Sequence, residues 1–138
     1  MMGAQPYTLE QLKAYAEQLL SELKSGCVLW LSGELGSGKT TFTQALVRAA
    51  GGDEAHSPSY SLVHQYDTPR GKIVHADCYR LNDPVEALDL DLTSQAEDAF
   101  LSVIEWPEQG VPYIPEPDCH LSFEHGNQPD IRNLRRIR

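Results

Sequence analysis

At 138 residues, 41% of them hydrophobic and 22% charged, the chain has the size and composition of one globular domain over residues 1–138. No window reaches the ~18 consecutive apolar residues of a membrane-spanning helix, and a net charge of −9 argues against a protein that grips nucleic acid by itself. Three cysteines without CxxC spacing and five scattered histidines argue against a disulfide framework or a structural zinc site, so a reducing cytoplasm is the simplest home.

The opening "MMGAQPYTLEQL" has no basic region followed by an apolar run, so no signal peptide is expected. Gly3 does not directly follow the first methionine, which disfavours myristoylation. From Thr8, Leu9, Leu12, Ala16, Leu19, Leu20 and Leu23 recur at helical spacing, with Thr8 and Gln11 as a capping box and Gly26 as the stop. "CVLWLS" is a short apolar run of the kind that forms a buried strand. "KTTFTQALVRAAGG" predicts a second helix ended by Gly51 and Gly52.

Beyond it the pattern turns to strands. "SYSLVHQYD" and "KIVHAD" are predicted strands joined by a turn at "TPRG", and "LSVIEW" is another. Between them "DPVEALDLDL" and "TSQAEDAF" predict short helices, the first with Asp83 as N-cap and Pro84 at the first helical position. "GVPYIPEPD" is a proline-rich connection. "CHLSFEH" and "IRNLRRIR" are the final strands, the last a candidate edge. Strand, helix, then several strands imply an α/β sheet that is only partly parallel.

Between the first strand and second helix, Gly33, Gly38, Lys39 and Thr40 satisfy GxxxxGK[ST]. Glycines permit a loop whose N–H groups turn inward on phosphate oxygens, and the helix N-terminus adds favourable polarity. Lys39 is placed to reach β- and γ-phosphates and Thr40 to ligate Mg²⁺. A second magnesium ligand belongs at the end of another apolar strand, where Glu105 and Asp77 are candidates. Each reads equally as a solvated acid at a strand end. Ser57 and Ser59 carry hydroxyls in a proline-stiffened turn where nucleotide switches sense a γ-phosphate, although an ordinary serine turn fits as well.

Taken in order, "GELGSGKTT", "SPSYSLVHQY", "HADCYRL" and "IEWPEQG" resemble the bacterial TsaE (YjeE) family, over nearly the whole chain. That family comprises the small ATPases of tRNA threonylcarbamoyladenosine synthesis. The resemblance implies a P-loop NTPase-like three-layer α/β fold with a mixed, partly parallel central sheet. It implies that Glu34, Leu35, Gly36, Ser37, Gly38, Lys39, Thr40 and Thr41 hold the phosphates of ATP or ADP. Thr40 and Glu105 would hold Mg²⁺, and Asp77 would sit near the γ-phosphate and orient water. Lys39, Asp77 and Glu105 are thus the candidate catalytic set. Ser59 stands where the family usually has threonine and Cys78 where it usually has an aliphatic residue.

Ser57, Ser59, Tyr60, Arg80 and Trp106 are the candidates for switching or partner contact, and Thr8 and Arg132 for proximity to the nucleotide. The family often has a glycine after its acidic middle helix, and "ALDLDLTSQ" has none. The implied partners are TsaB and TsaD, the latter transferring threonylcarbamoyl to N6 of adenosine 37, with tRNA met only through that complex. Weak ATP hydrolysis would reset the complex between turnovers.

Two other classes stay open. A small-molecule kinase would need an acceptor pocket and an arginine-bearing lid, whereas the arginines cluster at the C-terminus as Arg132, Arg135, Arg136 and Arg138. A GTPase-type switch would need a guanine-reading NKxD segment, and "LNDP" lacks the lysine. The terminal arginines fit an RNA or partner contact, or a charged edge strand that resists aggregation.

Overall fold

The computed structural model describes residues 4–53 and 62–138; the predicted switch residues Ser57, Ser59 and Tyr60 lie outside them. Strand β1 (Gln5–Tyr7) leads into helix α1 (Leu9–Glu22). The Thr8 hydroxyl accepts from the Gln11 N–H (3.2 Å) and the Gln11 side chain accepts from the Thr8 N–H (2.8 Å), which closes the predicted capping box. Helix α1 stops short of Gly26, at an extended Leu23, and Gly26 makes the following turn at φ 92°. Strand β2 (Cys27–Gly33) and helix α2 (Lys39–Ala49) follow. Strands β3 (Val63–Thr68) and β4 (Gly71–Asp77) form a hairpin, in which the Thr68 hydroxyl donates to the Gly71 carbonyl (2.7 Å) and accepts from the Arg70 N–H (3.1 Å).

The two short helices predicted next are a 3-10 segment, Pro84–Leu90, and α3 (Leu92–Asp98). Asp83 caps the first with a complete capping box and Pro84 at its start. Asp91 joins the two in the left-handed conformation, φ 51° and ψ 41°. The turn after the acidic segment therefore forms without a glycine. Aspartate is one of the few other residues that visits this region readily. Strands β5 (Leu101–Glu105), β6 (Cys119–His125) and β7 (Arg132–Arg136) complete the chain, with a short 3-10 turn at Pro107–Gln109.

One seven-stranded sheet results, in the order β1-β7-β6-β2-β5-β4-β3. Its centre, β6-β2-β5-β4, is parallel, and both flanks are antiparallel. The mixed, partly parallel sheet expected from the sequence is thus present. The terminal strand β7 is not the edge, however, because β1 pairs outside it. All five residues of β5 are buried, as an apolar strand covered on both faces requires.

On one face α1 and α2 cover the sheet. Leu19, Phe42, Leu46, Leu29, Leu31 and Phe123 form that core. On the other, Ala87, Leu92 and Ile114 pack on Val74, Ala76 and Ile104. Each fully buried large apolar side chain contributes roughly 1.5–3 kcal/mol. The parallel register sets Leu31 beside Glu105, and Glu105 beside Asp77. The ends of three central strands thereby meet along one carboxyl edge, where open α/β sheets bind ligands.

Candidate nucleotide site

Between β2 and α2 the chain turns through Gly33, Gly36 and Gly38, all at positive φ. At Gly33 (φ 145°) an added Cβ would overlap the Phe123 carbonyl oxygen and sit 2.8 Å from Ser37 Oγ, so only glycine fits. Gly38 (φ 110°) is the N-cap of α2 and offers no side-chain acceptor to the first helical N–H groups. Those amides are left for a ligand, at the end of the helix dipole that favours an anion. The Ser37 hydroxyl is wholly buried and has no hydrogen-bond partner among the described residues.

Lys39 is only 4% exposed. Its ammonium donates to the carbonyls of Gly33 and Glu34 (2.9 Å for the latter) and lies 4.7 Å from the centre of the Trp106 ring. Burial pushes its pKa down, and the nearby carboxylates of Glu105, Asp77 and Glu108 push it back up. Trp106 reaches this position because the chain turns sharply after β5, with Trp106 itself left-handed at φ 55°. Its ring packs at 4.8 Å against Tyr79.

The Thr40 hydroxyl donates toward both oxygens of Glu105, at 3.2 and 3.3 Å. Glu105 is buried, and its Oε2 also contacts His75 Nε2. Asp77, half-buried at the end of β4, accepts the Tyr79 N–H through Oδ1 at 3.0 Å. The next residue, Cys78, is fully buried, its thiol pKa pushed up to about 12 by burial and then by Asp77, as befits a packing residue.

A cavity of about 380 Å³ opens over these groups. Its lining comes from two sets of residues: Leu35, Gly36, Gly38, Lys39, Thr40 and Thr41 of the loop and helix start with Asp77, Glu105 and Trp106 at the strand ends, and Leu9 and Leu12 of α1 with Pro129, Asp130 and Arg132. The two sets meet where the Arg132 side chain lies against Gly38. The Arg132 guanidinium donates to the carbonyls of Pro129 (2.6 Å) and Ile131 (3.0 Å).

The structure therefore brings Lys39, Thr40, Asp77, Glu105 and Trp106 to one wall. Arg132 lines the same cavity, its side chain against Gly38 of the loop. Glu34 and Ser37 belong to the loop without lining the cavity, and Thr8 caps the helix whose first residue, Leu9, does line it. Arg80 sits exposed on the turn after Tyr79 and is not part of the wall. Sequence reasoning missed His75, although a histidine inside an apolar strand run was a visible signal. It also missed Leu9, Leu12, Pro129 and Asp130, which no local pattern marks.

The crystal structure of Bacillus subtilis YdiB superposes with a TM-score of 0.72 over 97% of this chain and 86% of that one, at 22% identity, a likeness of fold. Sequence relatives are nearer. The chain is similar to the tRNA threonylcarbamoyladenosine biosynthesis protein TsaE of Haemophilus influenzae, 33% identical over 91% of this chain and 79% of that protein. It is also similar to the proteins of that name from Rickettsia bellii, 34% identical over 83% and 81%, and Aquifex aeolicus, 37% identical over 70% of each. The family model for the threonylcarbamoyl adenosine biosynthesis protein TsaE matches residues 7–135, and the chain belongs to that family.

Proposed function

We propose that the protein is a Mg²⁺-ATP-binding, weakly hydrolysing P-loop ATPase. On this reading it serves tRNA N6-threonylcarbamoyladenosine formation by resetting or regulating a TsaB–TsaD transfer complex. The observation that carries the reading is the meeting of Lys39, Thr40, Glu105 and Asp77 beside an uncapped helix N-terminus, in a cavity that Leu9 and Leu12 also line. A tRNA-modifying role places the protein in the cytoplasm, as a domain spanning the whole chain.

The residues fit both groups. A hydroxyl and a carboxylate 3.2 Å apart are the hard oxygen donors that Mg²⁺ takes alongside phosphate and water. The buried, unpartnered Ser37 hydroxyl and the free α2 amides suit phosphate oxygens. Bound Mg²⁺ would offset charge on the phosphates. Lys39 would give up its loop carbonyls to donate to phosphate oxygens. Asp77 would accept a hydrogen bond from attacking water and orient it. Trp106, over the lysine, would keep bulk water away. Arg80 stands off the cavity wall, so a partner's arginine is the better candidate to complete charge neutralisation.

The test is ATP hydrolysis by the purified protein, alone and with TsaB and TsaD, followed together with tRNA modification. Weak hydrolysis alone that rises in the complex is expected. Full-rate hydrolysis by the isolated protein would defeat the reset role. Phosphoryl transfer to a metabolite panel would point to a kinase, and tighter binding of GDP than ADP to a GTPase-type switch.

A further inference from the structure

In strand β4, His75 follows the buried Ile73 and Val74. Ile73 packs into the helix-side core, and Asp77 ends the strand, so His75 lies between them on the same face. The side chain is 7% exposed. An imidazole is costly to bury unless both ring nitrogens find partners. Nε2 has one, Glu105 Oε2 on the adjacent strand. Nδ1 has none among the described residues. In the register His75 faces Val103, and Asp77 faces Glu105, so the contact is a diagonal one between parallel strands. Tyr66 stacks on the ring (centroids 6.5 Å, 27° between planes) and His64 meets it edge-on at 5.9 Å. These walls fix the ring's orientation.

A residue kept for packing alone would better be apolar, since leucine would leave no orphan nitrogen. What the histidine adds is its grip on Glu105. A carboxylate that ligates a cation is ionised and only accepts, so in that state Nε2 carries the hydrogen and occupies Oε2. Oε1, 3.3 Å from Thr40 Oγ1, then remains without a ring contact. Without that grip, only the Thr40 hydroxyl, 3.2 and 3.3 Å from the two oxygens, would hold the carboxylate.

We propose that His75 is a positioning residue: by holding Oε2 it keeps the Glu105 carboxylate turned toward Thr40, and so raises affinity for the divalent cation that accompanies the nucleotide. This rests on the Mg²⁺-nucleotide reading above. Partners of metal-binding side chains typically change metal affinity about 10- to 100-fold when removed.

Calorimetric ADP and ATP affinities, each measured in Mg²⁺ and in EDTA, test it. The ratio of the two is the magnesium gain. His75→Leu should cut the gain by about 10-fold or more while affinity in EDTA stays near wild type. His75→Gln, whose amide N–H extends to where Nε2 stood, should restore most of it. His75→Asn, one methylene shorter, should not. If the leucine variant fails to fold, the glutamine and asparagine pair decides. Equal gains in wild type and His75→Asn would overturn the proposal and leave the Mg²⁺-nucleotide reading intact. A fall in EDTA affinity matching that in Mg²⁺ would also overturn it, as the mark of a merely structural role. No magnesium gain in the wild type would overturn the Mg²⁺-nucleotide reading and the proposal with it.

Discussion

The cavity's lining comes from two sets of residues made in different ways. In the first, one unbroken stretch from Gly33 to Thr41 supplies the loop, the lysine and the hydroxyl, and two strand ends supply the carboxylates. Lys39 and Glu105 are buried there, and each is tied to the loop by hydrogen bonds, Lys39 to the Glu34 carbonyl and Glu105 to the Thr40 hydroxyl. In the second, Leu9 and Leu12 come from the start of the chain and Pro129, Asp130 and Arg132 from near its finish. The pairing of β1 with β7 brings these segments together. The first set is a device of local backbone conformation, the second a product of topology. The first should therefore fail when one atom is changed, whereas the second should degrade by degrees.

The largest effect is expected at Lys39. Hydrogen bonds to a charged group contribute roughly 1.5–3 kcal/mol each, so Lys39→Ala should lower ATP affinity by about 100-fold or more by calorimetry. Unchanged ATP binding would remove Lys39 from the phosphate site. Next is Gly33→Ala. Its Cβ would collide with the Phe123 carbonyl, and alanine resists a φ of 145°. Overpacking and strain of this kind are worth roughly 1–3 kcal/mol each, so the denaturant midpoint should fall clearly. Nucleotide binding should fall too, because the same loop carries both. A variant that melts normally would mean that the β2–β6 approach is looser than described.

The same contrast explains what was legible in the sequence. GxxxxGK[ST] announced the loop because the chemistry needs particular residues at fixed local spacing. Asp77 and Glu105 were legible as acids at the ends of apolar runs, and the register then set them side by side. Strand β1 was not legible, since three residues carry no alternation to read. That omission left β7 as a candidate edge and hid the second set. His75 was not legible, because its contact depends on a cross-strand neighbour. The turn at Asp91 has no glycine to mark it, and an aspartate that tolerates the left-handed conformation makes it.

In the second set, Arg132→Ala is the sharper probe. Its guanidinium is pinned by two backbone carbonyls, which leaves its stem against Gly38 and its orientation fixed. ATP affinity should fall about tenfold, a change of about 1.4 kcal/mol. Inorganic tripolyphosphate, which needs only the loop, should bind as before. Equal losses for both ligands would mean that Arg132 acts on phosphate, and the division between the sets would break.

The smallest effect is expected at Thr8. It lines nothing, yet its capping box starts the helix that presents Leu9 and Leu12 to the cavity. Thr8→Ala removes one of two reciprocal hydrogen bonds, worth about 1 kcal/mol of stability, and should lower Tm by a few degrees. Fraying of the first turn would loosen Leu9, which is already 47% exposed, before Leu12, which is buried. ATP affinity should therefore drop only about two- to threefold, under 1 kcal/mol, again with tripolyphosphate unaffected. A loss as large as that of Arg132→Ala would show that the second set depends on the helix start as sharply as the loop depends on Gly33. The two sets would then be equally brittle despite their different construction.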